Sequence, residues 1–171
     1  MKKLILLIIL ISTYSLNVFA ENTRFIDYNK LLNISKAGAT AQDKLQKKFK
    51  SESEKFTKLE RDIKKQESEI ISQKTALGPE EYKKKVNVLR KKVADLQKNK
   101  QNSFNAIAKS RTKARQDLLK SVNPIIKKYM DENKISMIFD KQAVVMGDTK
   151  LEITDKIVEI LNKELPTLKI N

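Results

Sequence analysis

Fifteen lysine and arginine side chains lie between residues 82 and 128, against only two carboxylates, Asp95 and Asp117. A run this cationic attracts anionic chains, head groups or nucleic acid at long range, but makes and breaks no bonds by itself. The groups that usually do covalent chemistry are missing. With no histidine and no cysteine, neither the common zinc sites nor a nucleophile–base pair can be assembled. Carboxylate pairs can act alone, yet none here falls in a pattern that suggests a pocket. There is also no Gly-rich phosphate loop. The expectation is a binding protein with no catalytic residue, metal or cofactor.

The basic run has to sit on something long. Three glycines and three prolines in 171 residues leave little turn chemistry, and 33% of the chain is charged, a composition of exposed helices. From Gln42, steps of three and four pick out 45, 49, 52, 56, 59, 63, 66, 70, 73 and 77. Seven of these are apolar: Leu45, Phe49, Phe56, Leu59, Ile63, Ile70 and Leu77. That spacing marks a coiled-coil seam. At Gly78-Pro79-Glu80-Glu81 one helix stops and another starts, and so short a connection makes the two antiparallel.

Reflecting the seam about this corner, so that partner numbers add up to about 159, yields a second set in the same rhythm. It contains Tyr82, Val86, Leu89, Val93, Leu96, Ile107 and Ala114. The reading is a hairpin arm over 42–132 with its tip at 78–80, each side reaching about 54 Å at 1.5 Å per residue. Glu52, Gln66, Gln73 and Lys100 interrupt the seam, so the arms should bend. Phe104 falls one step off register, and Pro124 should kink the returning helix. Residues 42–81 are nearly balanced, ten cations to nine anions. The arm is therefore a basic rod beside a neutral one.

The flanks read as a base, 21–41 and 133–171, carrying little net charge. Thr23 to Tyr28 favours a strand, Asn29 to Ile34 a helical turn, and Gly38 a bend. Ser136 to Asp140 and Ala143 to Met146 read as two more strands. Thr154 caps a last helix to about Glu164. Ahead of the base, residues 1–20 read as a secretory leader. It has a basic start at Lys2-Lys3, an apolar run from Leu4 to Ile11, and small residues Val18 and Ala20 before a cleavage site at Glu21. Cleavage there would lower the formal charge from +15 to +13. An exported domain without disulfides needs another source of stability, and oligomerisation is a common one.

In order, these features resemble the Skp/OmpH family. The resemblance is carried by Thr23-Arg24-Phe25-Ile26-Asp27-Tyr28-Asn29-Lys30-Leu31-Leu32 and Ser35-Lys36-Ala37-Gly38. It continues through Ile135-Ser136-Met137-Ile138-Phe139-Asp140, Ala143-Val144-Val145 and Ile153-Thr154-Asp155-Lys156-Ile157-Val158. Glu152 stands where family members often have Asp. The resemblance implies a periplasmic homotrimer. Its short strands would join into a small β-barrel, and its basic arms would enclose unfolded outer-membrane β-barrel proteins without ATP.

On that reading Lys83, Lys84, Lys85, Arg90, Lys91, Lys92, Arg111, Lys113 and Arg115 are the candidates for client steering. Phe25, Ile26, Ile138, Phe139, Val144 and Val145 are candidates for core or trimer interface. Contact with anionic lipid or lipopolysaccharide belongs to the same implication, without assigned residues. The alternatives are an envelope spacer and a membrane-surface coiled coil reading anionic lipid. Export and the lack of aromatics among the basic residues argue against nucleic acid.

Overall fold

The structure, a computed structural model, describes residues 22–169; the leader read in residues 1–20 lies outside them. The order is β1 (Thr23–Ile26), α1 (Tyr28–Ile34), α2 (Lys36–Ser72), α3 (Pro79–Asn133), β2 (Met137–Asp140), 3-10 turns at Lys141–Ala143 and Thr149–Leu151, and α4 (Thr154–Glu164). α2 and α3 form the arm. Everything else, with the roots of those two helices, forms the base.

Local chemistry sets the corners. The Asp27 carboxylate accepts from the Lys30 amide at 2.8 Å and opens α1. Ser35 both ends α1 and opens α2, its buried hydroxyl accepting from the Gly38 amide at 3.2 Å. The chain therefore bends at Ser35, and α2 begins at Lys36, ahead of the Gln42 start expected from the heptads. Gly38 has a different task. A Cβ there would collide with the Leu32 carbonyl, so the glycine lets the first turn of α2 lie against the end of α1.

At the far end α2 stops at Ser72, and Gln73 to Leu77 close the tip, the Leu77 amide donating to the Gln73 carbonyl at 2.9 Å. Gly78 then opens α3, with Pro79 in its first turn beside Glu80 and Glu81. The connection runs from Gln73 to Gly78, ahead of the tip expected at 78–80, and it is longer than expected, because the last heptad of α2 has uncoiled. α3 continues through Pro124 as one helix to Asn133. It ends at Lys134 in the left-handed region (φ 52°), where Asn22 holds it by donating to the carbonyls of Asn133 and Lys134.

β1 and β2 pair in parallel, with Phe25 opposite Phe139, and Phe25 also bridges to Glu152. Parallel neighbours need a crossover, and here the whole arm provides it. Beneath the pair, Ile26, Leu31, Val122, Ile157 and Leu161 are fully buried and join α1, α3 and α4 in one core. The strand expected over Ala143 to Met146 does not form. Asp140 accepts from the Gln142 amide at 2.9 Å and winds Lys141–Ala143 into a 3-10 turn. Val145 and Met146 then point fully into solvent. Strand propensity at Val144 and Val145 is thus overridden by the local turn, and the outer edge of β2 stays without a strand partner among the described residues.

Candidate functional site: the arm and its cationic helix

The two long helices meet along the expected seam. Lys85 donates to Gln73, Lys92 to Gln66 and Lys100 to Glu60, at 2.9, 2.7 and 2.6 Å. These partner numbers add up to 158, 158 and 160. The seam glutamines Gln66 and Gln73 are therefore satisfied by cations of α3, and among the described residues no buried side-chain polar atom is left without a partner. Ser103 also donates to Glu52 at 2.9 Å.

Halfway along, three phenylalanines hold the arm together. Phe104 lies 5.1 Å from Phe49 and 5.9 Å from Phe56, centroid to centroid, in tilted pairs. It fills the gap between two residues one heptad apart, which is why it falls out of step in a simple list of seam positions. Phe56, Leu96 and Ile107 are buried here. Beyond Phe56 on α2, and before Leu96 on α3, no side chain is buried. The distal arm is two helices thick and only half packed.

That leaves apolar surface open along the arm. Phe49, Leu59, Ile71, Val88 and Val93 are each at least 39% exposed. Near the tip Ile63, Ile70, Tyr82, Val86 and Leu89 line one open groove between the helices, flanked by Glu67 and Arg90. Val88 lines another groove beside Lys84 and Lys85.

The cations named from the sequence do not form one patch. Lys83, Lys84, Arg90 and Lys91 are exposed. Lys85 and Lys92 are tied across the seam to glutamines. Lys113 is paired with Asp117 on its own helix at 2.7 Å. Arg115 donates to the Asn29 side chain at 3.3 Å, and with Arg111 it lines a groove at the root of the arm. Of the residues considered for core or interface, Phe25 and Ile26 are buried, Ile138 and Val144 are half-buried, and Phe139 and Val145 are exposed in the single chain.

A polar clasp fastens the base below the sheet. Lys141 donates to Glu152 at 3.0 Å and lies 4.0 Å from Asp27, and Glu152 also accepts from the Thr154 hydroxyl at 2.8 Å. The Asp27 amide donates to that same hydroxyl at 2.9 Å. The Lys141 hydrogen bond holds the Glu152 carboxyl below the usual range. Nearby, the hydrogen bond to Asp155 raises Lys30. Among the described residues no group of three or more acidic side chains could hold a metal ion, and no helix is long and apolar enough to cross a membrane.

Fold and charge together define a class: a small strand-bearing base carrying a long antiparallel helical hairpin whose returning helix is cationic. A sequence model of the family described as outer membrane protein (OmpH-like) matches residues 23–161, and the chain belongs to that family. Its fold is similar to the crystal structure of a candidate outer membrane chaperone (OmpH-like) from Caulobacter crescentus CB15. The TM-score is 0.83 at 17% identity, over 88% of this chain and 89% of that one. No curated protein matches the sequence.

Proposed function

We propose that this protein is an ATP-independent holdase of the periplasm, which keeps unfolded outer-membrane β-barrel proteins from aggregating between the basic arms of a trimer. The observation that carries this reading is the arm itself. Open apolar side chains such as Ile71, Val88 and Val93 alternate with Lys83, Lys84, Arg90 and Lys91 on a hairpin too thin to bury them. An extended chain with apolar and acidic residues finds both kinds of partner there, and many weak contacts sum by avidity. A half-packed seam also lets the arm bend around clients of different size.

Trimerisation would use the free edge of β2, with exposed Met137, Phe139, Val145 and Met146 around it. A two-stranded sheet is marginal alone, and its open edge needs a partner. The deciding experiment takes the mature protein, measures its mass in solution, and adds it to a urea-denatured outer-membrane barrel on dilution. Trimeric mass with aggregation suppressed in the absence of ATP is the expected result. A monomer, or unchanged aggregation at excess protein, would sink the proposal. Equal suppression by the protein bound only to acidic vesicles would favour the lipid-surface alternative.

A further inference from the structure

Where α1, α2 and α3 converge, a groove of about 560 Å³ opens at the root of the arm, within the range of small-ligand sites. Leu32, Ala41, Leu45 and Leu118 make an apolar floor, each at most 5% exposed. Arg111 and Arg115 form one wall, one helical turn or about 6 Å apart along α3. Asn33, Gln42 and Gln46 bring amides to the other side, two of them fixed by the Gln42 to Asn33 hydrogen bond at 2.7 Å.

No residue lining the groove carries a carboxylate. Asp43 and Asp117, the acidic residues nearest to it in sequence, are held by Lys47 and Lys113 on their own helices. The Arg111 side chain has no hydrogen bond or ion pair among the described residues, and the Arg115 side chain has only the neutral Asn29. Two guanidiniums without an anion, above an apolar floor and opposite amides, make a complementary set for one kind of group. We infer that this groove binds the free C-terminus of an extended polypeptide. Its carboxylate sits between Arg111 and Arg115, its last side chain lies apolar on the Leu45–Leu118 floor, and its preceding peptide groups meet Asn33, Gln42 and Gln46. A planar carboxylate suits a guanidinium fork. The amides favour a peptide over a fatty anion, which has nothing to pair with them.

The inference deepens the chaperone reading and rests on it for its biological meaning: the arm would hold the body of a client while the root holds its end. The probe is a fluorescein-labelled hexapeptide ending in leucine, as free acid and as C-terminal amide, titrated by anisotropy against the full mature protein. The free acid is expected to bind about tenfold more tightly or better, since it alone offers the charge-assisted bonds. The preference should vanish in R111Q/R115Q. It should also fall in Q46E, which places a competing carboxylate on the lining. Equal binding of acid and amide, or a preference that survives R111Q/R115Q, overturns the site. So does displacement of the peptide by decanoate at lower concentration than by unlabelled free-acid peptide. Suppression of barrel aggregation, measured on the same unsubstituted protein, fails or succeeds independently and judges the chaperone reading separately.

Discussion

Truncating Phe56 to alanine should loosen the arm and leave the base intact. Phe56 is 3% exposed and touches Phe104, in the last layer before the half-packed tip. Phe→Ala in a packed site costs about 3–5 kcal/mol. The low end applies, because an arm two helices thick lets water reach the gap. Local opening of the arm should then become about a hundredfold more frequent, taking 1.4 kcal/mol per tenfold. Hydrogen exchange followed by mass spectrometry reads this segment by segment. Amides in 49–63 and 96–110 should lose protection by about that factor, whereas those in 28–34 and 154–164 should change little. Loss spread evenly over arm and base would mean that the two unfold as one unit. A change under threefold in the arm would mean that the phenylalanine cluster does not hold it, and either result refutes the account.

Three further outcomes test other parts of the structure. Gly38→Ala should lower stability by about 1–3 kcal/mol through overpacking against the Leu32 carbonyl, whereas Gly78→Ala, with nothing within 4 Å of the new Cβ, should change it by less than about 0.5 kcal/mol; thermal melts of the two variants compare them. Because the folded state depresses the Glu152 pKa, its contribution is present above the unfolded value of about 4.3 and is lost as pH falls through the folded one. E152Q should therefore be less stable at neutral pH, and its Tm should fall less between about pH 5 and pH 3. If α3 steers clients as proposed, their affinity should drop about tenfold or more as salt rises from 0.05 to 0.5 M, since exposed charges are screened within about 10 Å already at 0.1 M; affinity independent of salt would remove the proposed steering role.

Much of the arm was legible because its determinants are local. Steps of three and four from Leu45 to Ile70 specify a helix with one sticky edge, and Gly78-Pro79 can neither continue one helix nor be better placed to begin another. The cationic excess needs no folding argument at all. The last helix showed for the same reason, with Ile157, Val158 and Leu161 on one side. The cations could be named from the sequence but not their surroundings: Lys85, Lys92 and Lys113 are engaged by neighbours, while the Arg111 side chain has no partner among the described residues.

What only the packed chain decided depends on residues far apart in sequence. Val144, Val145 and Met146 favour a strand by propensity, but the Asp140 side chain winds the residues before them into a 3-10 turn, and they do not reach the open edge of β2 within one chain. Gly38 reads as a bend until the Leu32 carbonyl stands against it. Phe104 reads as a misfit until Phe49 and Phe56 close around it, and Arg111 and Arg115 read as two more solvated cations until α1 and α2 build an apolar floor beneath them. Periodicity and charge are properties of a single helix and survive without a partner. Contacts between elements exist only once the chain has folded back, and those contacts make the grooves.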